Sequence, residues 1–538
     1  MRCPYEHPRS TIEHMFAQTH DHRSASGALL RRTEARRQKL AAFLERKEGR
    51  SELGQFFTPA PVAVFLAELL DLPTSGMFRL LDPGAGIGSL TAAVVARALR
   101  ECPELELTVV AFEVDPDLIP HLRETLEDCR ATAEQLGVRV HVVVHEEDFI
   151  QSAADAISGS LLSDIGPLFS ACVMNPPYRK VNNGGPDRRA LERVGVTVTN
   201  LYAAFLGLAS RLLAPGGQLS AITPRSFANG VYFRPFREYF FREMAFDRIH
   251  VYEHRGHVFA DAQVLQENVV FRATRRRPSE TVVLSTSANS ESEPVARQVA
   301  YDEVIHDDDP NLFIRIPVDD DATAVAEYIA SLPATLPDLE VEVSTGRVVD
   351  FRAREHLRTA PAPDAVPLIY PNNLRGGAVI WPQERSKKPA AIADNKHTQP
   401  LLLPSDIYVL VKRFTAKEER RRVVAALVTP EDLPAARVGF ENHLNVFHRG
   451  GRGLPMDLAC GLVAFLNSAV VDRYVRQFSG HTQINATDLR QLRYPSRDEL
   501  VAAGRDADDP GSAGRARVPF GEFSDRAQPA LVGSRGVA

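Results

Sequence analysis

Between residues 52 and 271 short apolar runs alternate with stretches of helical spacing. Residues 78–81, 107–112, 138–144, 171–174 and 218–222 read as buried strands. Residues 90–99, 116–129 and 201–213 carry the 3.6-residue spacing of helices. Such alternation predicts an α/β fold with a parallel, doubly wound sheet. Ligands of such sheets bind outside the carboxyl ends of the strands.

The pattern is different on either side. Residues 1–50 read as a basic arm, helical from about residue 28, with 11 Lys+Arg against 6 Asp+Glu. That charge fits either a solvated helix face or a contact with a DNA backbone. After Arg275-Arg276-Arg277-Pro278 the chain turns Ser-rich and then acidic, so 276–330 reads as a transition with little core of its own. Residues 331–500 form a second, mixed α+β unit with strand-like runs at 366–370 and 407–411 among Pro and Asn turns. Residues 501–538 read as a disordered tail. The catalytic-type sheet is thereby confined to 51–275, Rossmann-like in outline.

Composition narrows the class. The chain has 538 residues, 44% apolar and 25% charged, which is ordinary for globular proteins. Its five cysteines include no C-x-x-C pair, so neither a zinc ribbon nor a disulfide scaffold is expected. His443 and His448 lack cysteine partners, and no metal site is expected. No signal peptide or membrane span is read, and a cytoplasmic setting follows. The net charge of −6 argues, taken whole, against an obligate polyanion binder. Residues 385–422 depart from that average, with ten Lys+Arg against four Asp+Glu and with Tyr408 and Phe414 interleaved. Lys387, Lys388, Lys396, Lys412 and Arg413 are the candidate DNA contacts there, against the plainer reading of a charged surface. Asn372-Asn373, Asn395-Lys396-His397 and His481-Thr482-Gln483 are polar clusters suited to base edges or, singly, to turns.

Two stretches carry chemistry. The first is Asp82-Pro83-Gly84-Ala85-Gly86-Ile87-Gly88, between a strand and a helix. Glycines at 84, 86 and 88 let the backbone approach a ligand that a Cβ would block. The next two strands end at Glu113 and at Asp148-Phe149. Glu113 can accept from ribose hydroxyls, Asp148 from an adenine amino group, and Phe149 can pack on the ring. Three strand ends carrying Asp82, Glu113 and Asp148 suggest S-adenosylmethionine, and the missing Lys excludes a P-loop.

The second stretch, Asn175-Pro176-Pro177-Tyr178, closes the fourth strand. Two prolines remove two backbone donors and fix φ. The Asn175 side-chain oxygen and the Pro176 carbonyl can then accept both protons of one amino group, turning its lone pair toward an incoming methyl. Tyr178 offers a face on which a planar base or amide stacks.

With these motifs the chain resembles the gamma-class, amino-methylating DNA methyltransferases, and within them the PstI/BsuBI-type modification enzymes. Leu53-Gly54-Gln55-Phe56-Phe57-Thr58-Pro59 is similar to the class's opening motif, which implies that Phe57, Thr58 and Pro59 flank the methionine part of the cofactor. Thr199 to Phe205, Ile222 to Phe227, Val264 to Asn268 and Gly480 to Asn485 match the narrower group. The resemblance implies methylation of adenine N6 in a base flipped from duplex DNA, with Tyr178 on one face. Phe233 is similar to the second stacking aromatic, its competitor being core packing. It further implies a target-recognition role for 331–500, the palindrome CTGCAG as target, and a partner restriction endonuclease that acts on the same site without a stable complex. Two other readings use the same turn: methylation of a protein glutamine or an RNA base, and a non-catalytic DNA-binding subunit.

Overall fold

The computed structural model describes residues 9–44, 57–160, 165–252, 267–276, 280–306, 308–383, 386–415, 419–478 and 483–508. The expected tail beyond 508, and the motif residues 53–56, 264–266 and 480–482, lie outside them. The chain divides into two compact units at Val318/Asp319.

In the first unit, α1 spans Arg9–Leu44 and α2 Ala60–Glu68. Then follow β1 (Ser75–Pro83), α3 (Ser89–Glu101), β2 (Glu104–Phe112), α4 (Ile119–Gln135), β3 (Val140–His145) and α5 (Phe149–Ile157). Next come β4 (Phe169–Met174), α6 (Pro186–Arg193), α7 (Leu201–Leu212), β5 (Leu213–Pro224), α8 (Arg234–Phe240), β6 (Met244–Tyr252) and β7 (Asn268–Arg275). Two further strands, β8 (Thr281–Ser287) and β9 (Val295–Ala300), complete a nine-stranded sheet of order β3-β2-β1-β4-β5-β7-β6-β8-β9. β1 to β5 pair in parallel, and β7 runs antiparallel between β5 and β6. Alternate residues feed two cores: Leu81, Val110 and Cys172 belong to one, Leu80, Val109 and Ala171 to the other. Both faces are thus covered, as the doubly wound reading requires. The order reverses between β1 and β4, which places the ligand crevice at their carboxyl ends.

Two expectations change. The stretch 276–330 is not a coreless transition: among its described residues Val282, Leu284 and Val299 of β8 and β9 are buried in the main core, and Val325 and Ile329 in the core of the second unit. Its acids have structural roles, since buried Asp309 pairs with Arg315 at 2.9 Å. Nor is the N-terminal stretch a free basic arm. α1 packs on α3 and α4. Arg36 pairs with Glu124 (2.8 Å) and Asp128 (2.9 Å) of α4, and Arg37 with Glu34 (2.7 Å). These two cations neutralise the protein's own carboxylates.

The second unit holds a six-stranded sheet. In spatial order its strands are Glu342–Thr345, Leu444–His448, Tyr408–Lys412, Ala425–Val428, Ala378–Val379 and Leu374–Arg375. A five-stranded sheet runs Leu357–Arg358, Ala391–Ala393, Ala365–Ile369, Arg437–Phe440 and Leu402–Pro404. Helices Asp320–Ser331, Met456–Leu466, Ala469–Phe478, Ala486–Gln491 and Arg497–Asp508 complete it. The last of these takes residues 501–508 out of the expected tail. Among the described residues no single helix is long and apolar enough to cross a membrane.

Candidate active site

At the carboxyl ends of β1 to β4 lies a cavity of about 390 Å³, within the ~300–1,000 Å³ usual for small-molecule sites. Gly84, Gly86, Glu113, Asp148, Phe149, Asn175 and Pro177 all line it, with Phe57. Residues 118 positions apart in the chain, Phe57 and Asn175, thus share one space.

The glycine turn is held by backbone bonds, Ala85 N–H to the Phe112 carbonyl and Gly88 N–H to the Ala85 carbonyl (both 2.8 Å), and by Glu113. Gly86 N–H donates to its Oε2 at 2.8 Å, and Val114 and Asp115 N–H donate to its Oε1 at 2.9 and 2.8 Å. Gly84 and Gly86 have φ of 72° and 58°, and a Cβ on Gly84 would stand 3.3 Å from the Phe205 ring. Both positions require glycine. Burial raises the Glu113 carboxyl above its ordinary value, opposed by those three N–H donors. Asp148 caps α5, its Oδ1 accepting from Ile150 (2.7 Å) and Gln151 (3.2 Å). Its Oδ2 stays available as an acceptor. Burial, and after it the nearby charge of Asp187, raises its carboxyl too. Phe149 packs between Phe112 (5.4 Å between ring centroids) and Phe205 (5.0 Å).

The Asn-Pro-Pro-Tyr turn follows β4 directly. Asn175 Nδ2 donates to the Thr58 hydroxyl at 3.0 Å, which fixes the amide orientation and makes Oδ1 its accepting end. The Tyr178 hydroxyl reaches that Oδ1 at 3.0 Å and the Ile222 carbonyl at 3.4 Å. Its single proton can serve only one, so Ile222 offers a second seat when Oδ1 is needed elsewhere. Burial pushes the Tyr178 phenol well above its ordinary value, so it stays neutral.

Four expected site residues are placed differently. Thr58 does not line the cavity; it orients Asn175 from behind. Pro59 is the residue before α2 and starts that helix. Gly88, at φ 82°, begins α3, where a Cβ would meet Leu122 at 3.1 Å. Asp82 is 1% exposed and turns inward, its Oδ2 accepting from Thr91 at 2.6 Å. Burial pushes its carboxyl to about 7, against the hydrogen bond from Thr91. A carboxyl raised in the folded state adds stability below its unfolded value, and loses it as pH rises through 7. Asp82→Asn keeps the acceptor without the charge. Its melting temperature relative to the parent should therefore climb between pH 5 and pH 8. A difference independent of pH would sink this reading.

Phe233 is also relocated. It is 7% exposed, within the core, with its ring 5.5 Å from Tyr202. Tyr202 stands next to both, 6.3 Å from Tyr178, so Tyr202 is the aromatic neighbour of the Asn-Pro-Pro-Tyr turn. Phe112, Phe205, Asp115, Arg179 and Asp187 line the cavity but were not singled out from the sequence. Phe205 sat within a matched motif, and Asp115 lies two residues past Glu113.

In the second unit, Lys387 and Lys388 border a cavity of about 510 Å³, Lys388 pairing with Asp350 at 3.2 Å. Lys396 is exposed and Lys412 half-buried. Arg413 is tied to the Asn442 carbonyl (2.8 Å) and Asn485 (3.3 Å), and buried Arg422 to Thr415, so neither is a free phosphate contact. Asn373 is buried on the Ile380 carbonyl, and Asn395 caps its own turn. Among the described residues no cluster could hold a metal ion.

A doubly wound sheet, a Gly-loop cavity at its switch point and an Asn-Pro-Pro-Tyr turn facing that cavity define a methyltransferase fold. The model of the Eco57I restriction-modification methylases matches residues 117–259. The Type II methyltransferase M.PstI of Providencia stuartii is 40% identical over 88% of this chain and 91% of its own. M.BsuBI of Bacillus subtilis is 40% identical over 85% and 90% respectively. The chain belongs to the Type II restriction-modification methyltransferases. The Type IIL restriction-modification enzyme MmeI, solved in complex with DNA, shares the fold at 11% identity with a TM-score of 0.50, over 80% of this chain and 64% of its own.

Proposed function

We propose that the chain transfers a methyl group from S-adenosylmethionine to the N6 amino group of an adenine in duplex DNA, as the modification enzyme of a restriction-modification pair. The observation that carries this is the shared cavity: the Gly84–Glu113–Asp148 set and the Asn175 turn open onto one space. The residues fit the cofactor. Asp148 Oδ2 is a spare acceptor for an adenine amino group, Glu113 Oε2 holds one backbone donor and can take a ribose hydroxyl, and Phe57, Phe112 and Phe149 supply apolar walls. When bound, S-adenosylmethionine supplies a methyl on a positively charged sulfonium, an activated leaving group.

The chain's own part is positioning. Thr58 holds the Asn175 amide with Oδ1 outward. That oxygen and the Pro176 carbonyl accept the two protons of the target amine. Positive charge developing on the nitrogen is stabilised by the same two dipoles. Tyr178 stacks on the base, which leaves the duplex because its amino group is out of reach inside the stack. The second unit, with exposed Lys387 at its cavity, supplies phosphate contacts and sequence choice. The partner endonuclease acts on the same site independently.

The test is methyl transfer from labelled S-adenosylmethionine to duplex DNA, followed by digestion to nucleosides. The expected product is N6-methyladenine, with transfer falling steeply as salt rises. Label in RNA or protein, with none in DNA, overturns the proposal.

A further inference from the structure

The cavity of the second unit has a side-chain set that its charge alone does not explain. Glu441 is buried and brackets one residue: its Oε1 lies 2.5 Å from His443 Nδ1, and its Oε2 accepts the His443 N–H at 2.9 Å. The imidazole is thereby fixed at one end, while 45% of its side chain stays exposed. With Nδ1 held on the carboxylate, Nε2 is the end left for a ligand. Phe414, 38% exposed, packs edge-on against the ring at 4.8 Å, 63°. Asn372 is braced as well. Its Nδ2 donates to Gln383 Oε1 and Ser386 Oγ, both at 3.1 Å, and its own carbonyl accepts from Gln383 Nε2 at 2.7 Å. Its Oδ1 remains as a spare acceptor. Exposed Lys387 lines the same cavity.

A burial penalty is being met here without any gain to the core. Holding a carboxylate under a surface imidazole costs desolvation that a packed apolar pair would avoid. Two locked polar groups beside an exposed ring and a free ammonium are suited to a nucleobase. Locked rotamers lose little entropy on contact, and the ammonium takes the flanking phosphate.

The geometry points to a base-reading site in which His443 Nε2 and Asn372 Oδ1 contact the edge of one base pair of duplex DNA, with Lys387 on a neighbouring phosphate. This rests on the reading of the chain as a DNA methyltransferase and names where it chooses its sequence. Glu441 is a positioning residue, acting through His443.

The experiment is methylation of a randomised duplex pool by the full-length protein, read by sequencing the methylated sites. The parent enzyme's own motif is the reference, so the target need not be known beforehand. His443→Ala should relax one position of that motif, with discrimination there falling about tenfold or more. Asn372→Ala, at an exposed position, should relax the same position or its neighbour. Lys387→Ala should weaken all sequences alike and lower the salt slope by about 1. An unchanged motif in both His443→Ala and Asn372→Ala overturns the proposal. So does a uniform loss with the motif intact, which would mark a structural role. A parent enzyme that methylates no DNA fails the functional reading itself, and this site with it.

Discussion

Asn175→Ala should lower methyl transfer by about a hundredfold to a thousandfold, while S-adenosylmethionine binds within a few fold of the parent. The reason lies in which partners the side chain has. Its Nδ2 is on Thr58 at 3.0 Å, so its Oδ1 is the end presented to the cavity, beside the Tyr178 hydroxyl. Alanine removes the acceptor proposed to orient the amine and stabilise its developing charge. It leaves Glu113, Asp148 and the aromatic walls in place. Asn175→Asp keeps an oxygen there but loses the donor to Thr58 and adds a charge. It should restore part of the rate only. Thr58→Val should show a smaller loss, about tenfold, in the rate at saturating substrate with cofactor affinity kept. That result would separate orientation from binding. Single-turnover transfer and calorimetric titration of the cofactor check both. If Asn175→Ala keeps its rate, or loses the cofactor instead, the assigned role falls.

What the sequence shows of this site is position along a strand, and what it hides is direction. Asp82, Glu113 and Asp148 each follow an apolar run, and all three look like ligand contacts. In space Glu113 folds over the glycine turn, Asp148 caps a helix beside the cavity, and Asp82 turns inward to Thr91. Spacing alone does not distinguish a carboxylate aimed at a ligand from one that braces the loop around it. Phe205 was hidden for another reason. Almost every residue of α7 is buried, so no amphipathic stripe marks the side that faces the cavity. Thr58 was legible as a motif but not as the partner of Asn175, because the two lie 117 residues apart. At the level of the fold, β1, β2, β4 and β5 were readable because parallel strands buried on both faces are continuous apolar runs, and β3, though a half-exposed edge strand, through its run of valines. β8 and β9 were not. Their less buried positions mix Thr281, Ser285, Arg297 and Gln298 with Val283 and Val295, so neither a continuous apolar run nor a clean alternation marks them. The charge of α1 misled in the same way: the acids that neutralise Arg36 lie some 90 residues on, in α4.

Glu113→Ala and Glu113→Gln should both cost the enzyme its cofactor, with affinity falling about a hundredfold. The glutamine variant is the sharper case. Three backbone N–H groups converge on this carboxylate, two on Oε1 and one on Oε2. An amide has one acceptor oxygen. Its NH2 must then face either Gly86 N–H or the pair from Val114 and Asp115, donor against donor. Alanine leaves all three without a partner, although water entering the cavity can soften that loss. Each unmet donor costs about 1–3 kcal/mol when buried, so both variants should also melt earlier than the parent. The loop they hold carries Gly84 and Gly86 at positive φ, tied to the end of β2 by Ala85 N–H on the Phe112 carbonyl and by Gly86 N–H on Glu113, and the variants remove the second tie. Losing it removes the close backbone approach on which the site depends. Methyl transfer at very high S-adenosylmethionine should recover in large part, because Asn175 and Tyr178 are untouched. Calorimetric titration and the cofactor dependence of the rate read this directly. A Glu113→Gln variant that binds the cofactor as tightly as the parent would show that the carboxylate neither shapes the loop nor meets the ligand. An Asn175→Ala defect that high cofactor leaves unchanged, beside a Glu113→Gln defect that it relieves, would show the two halves of the cavity working separately: one holds the donor, the other orients the acceptor.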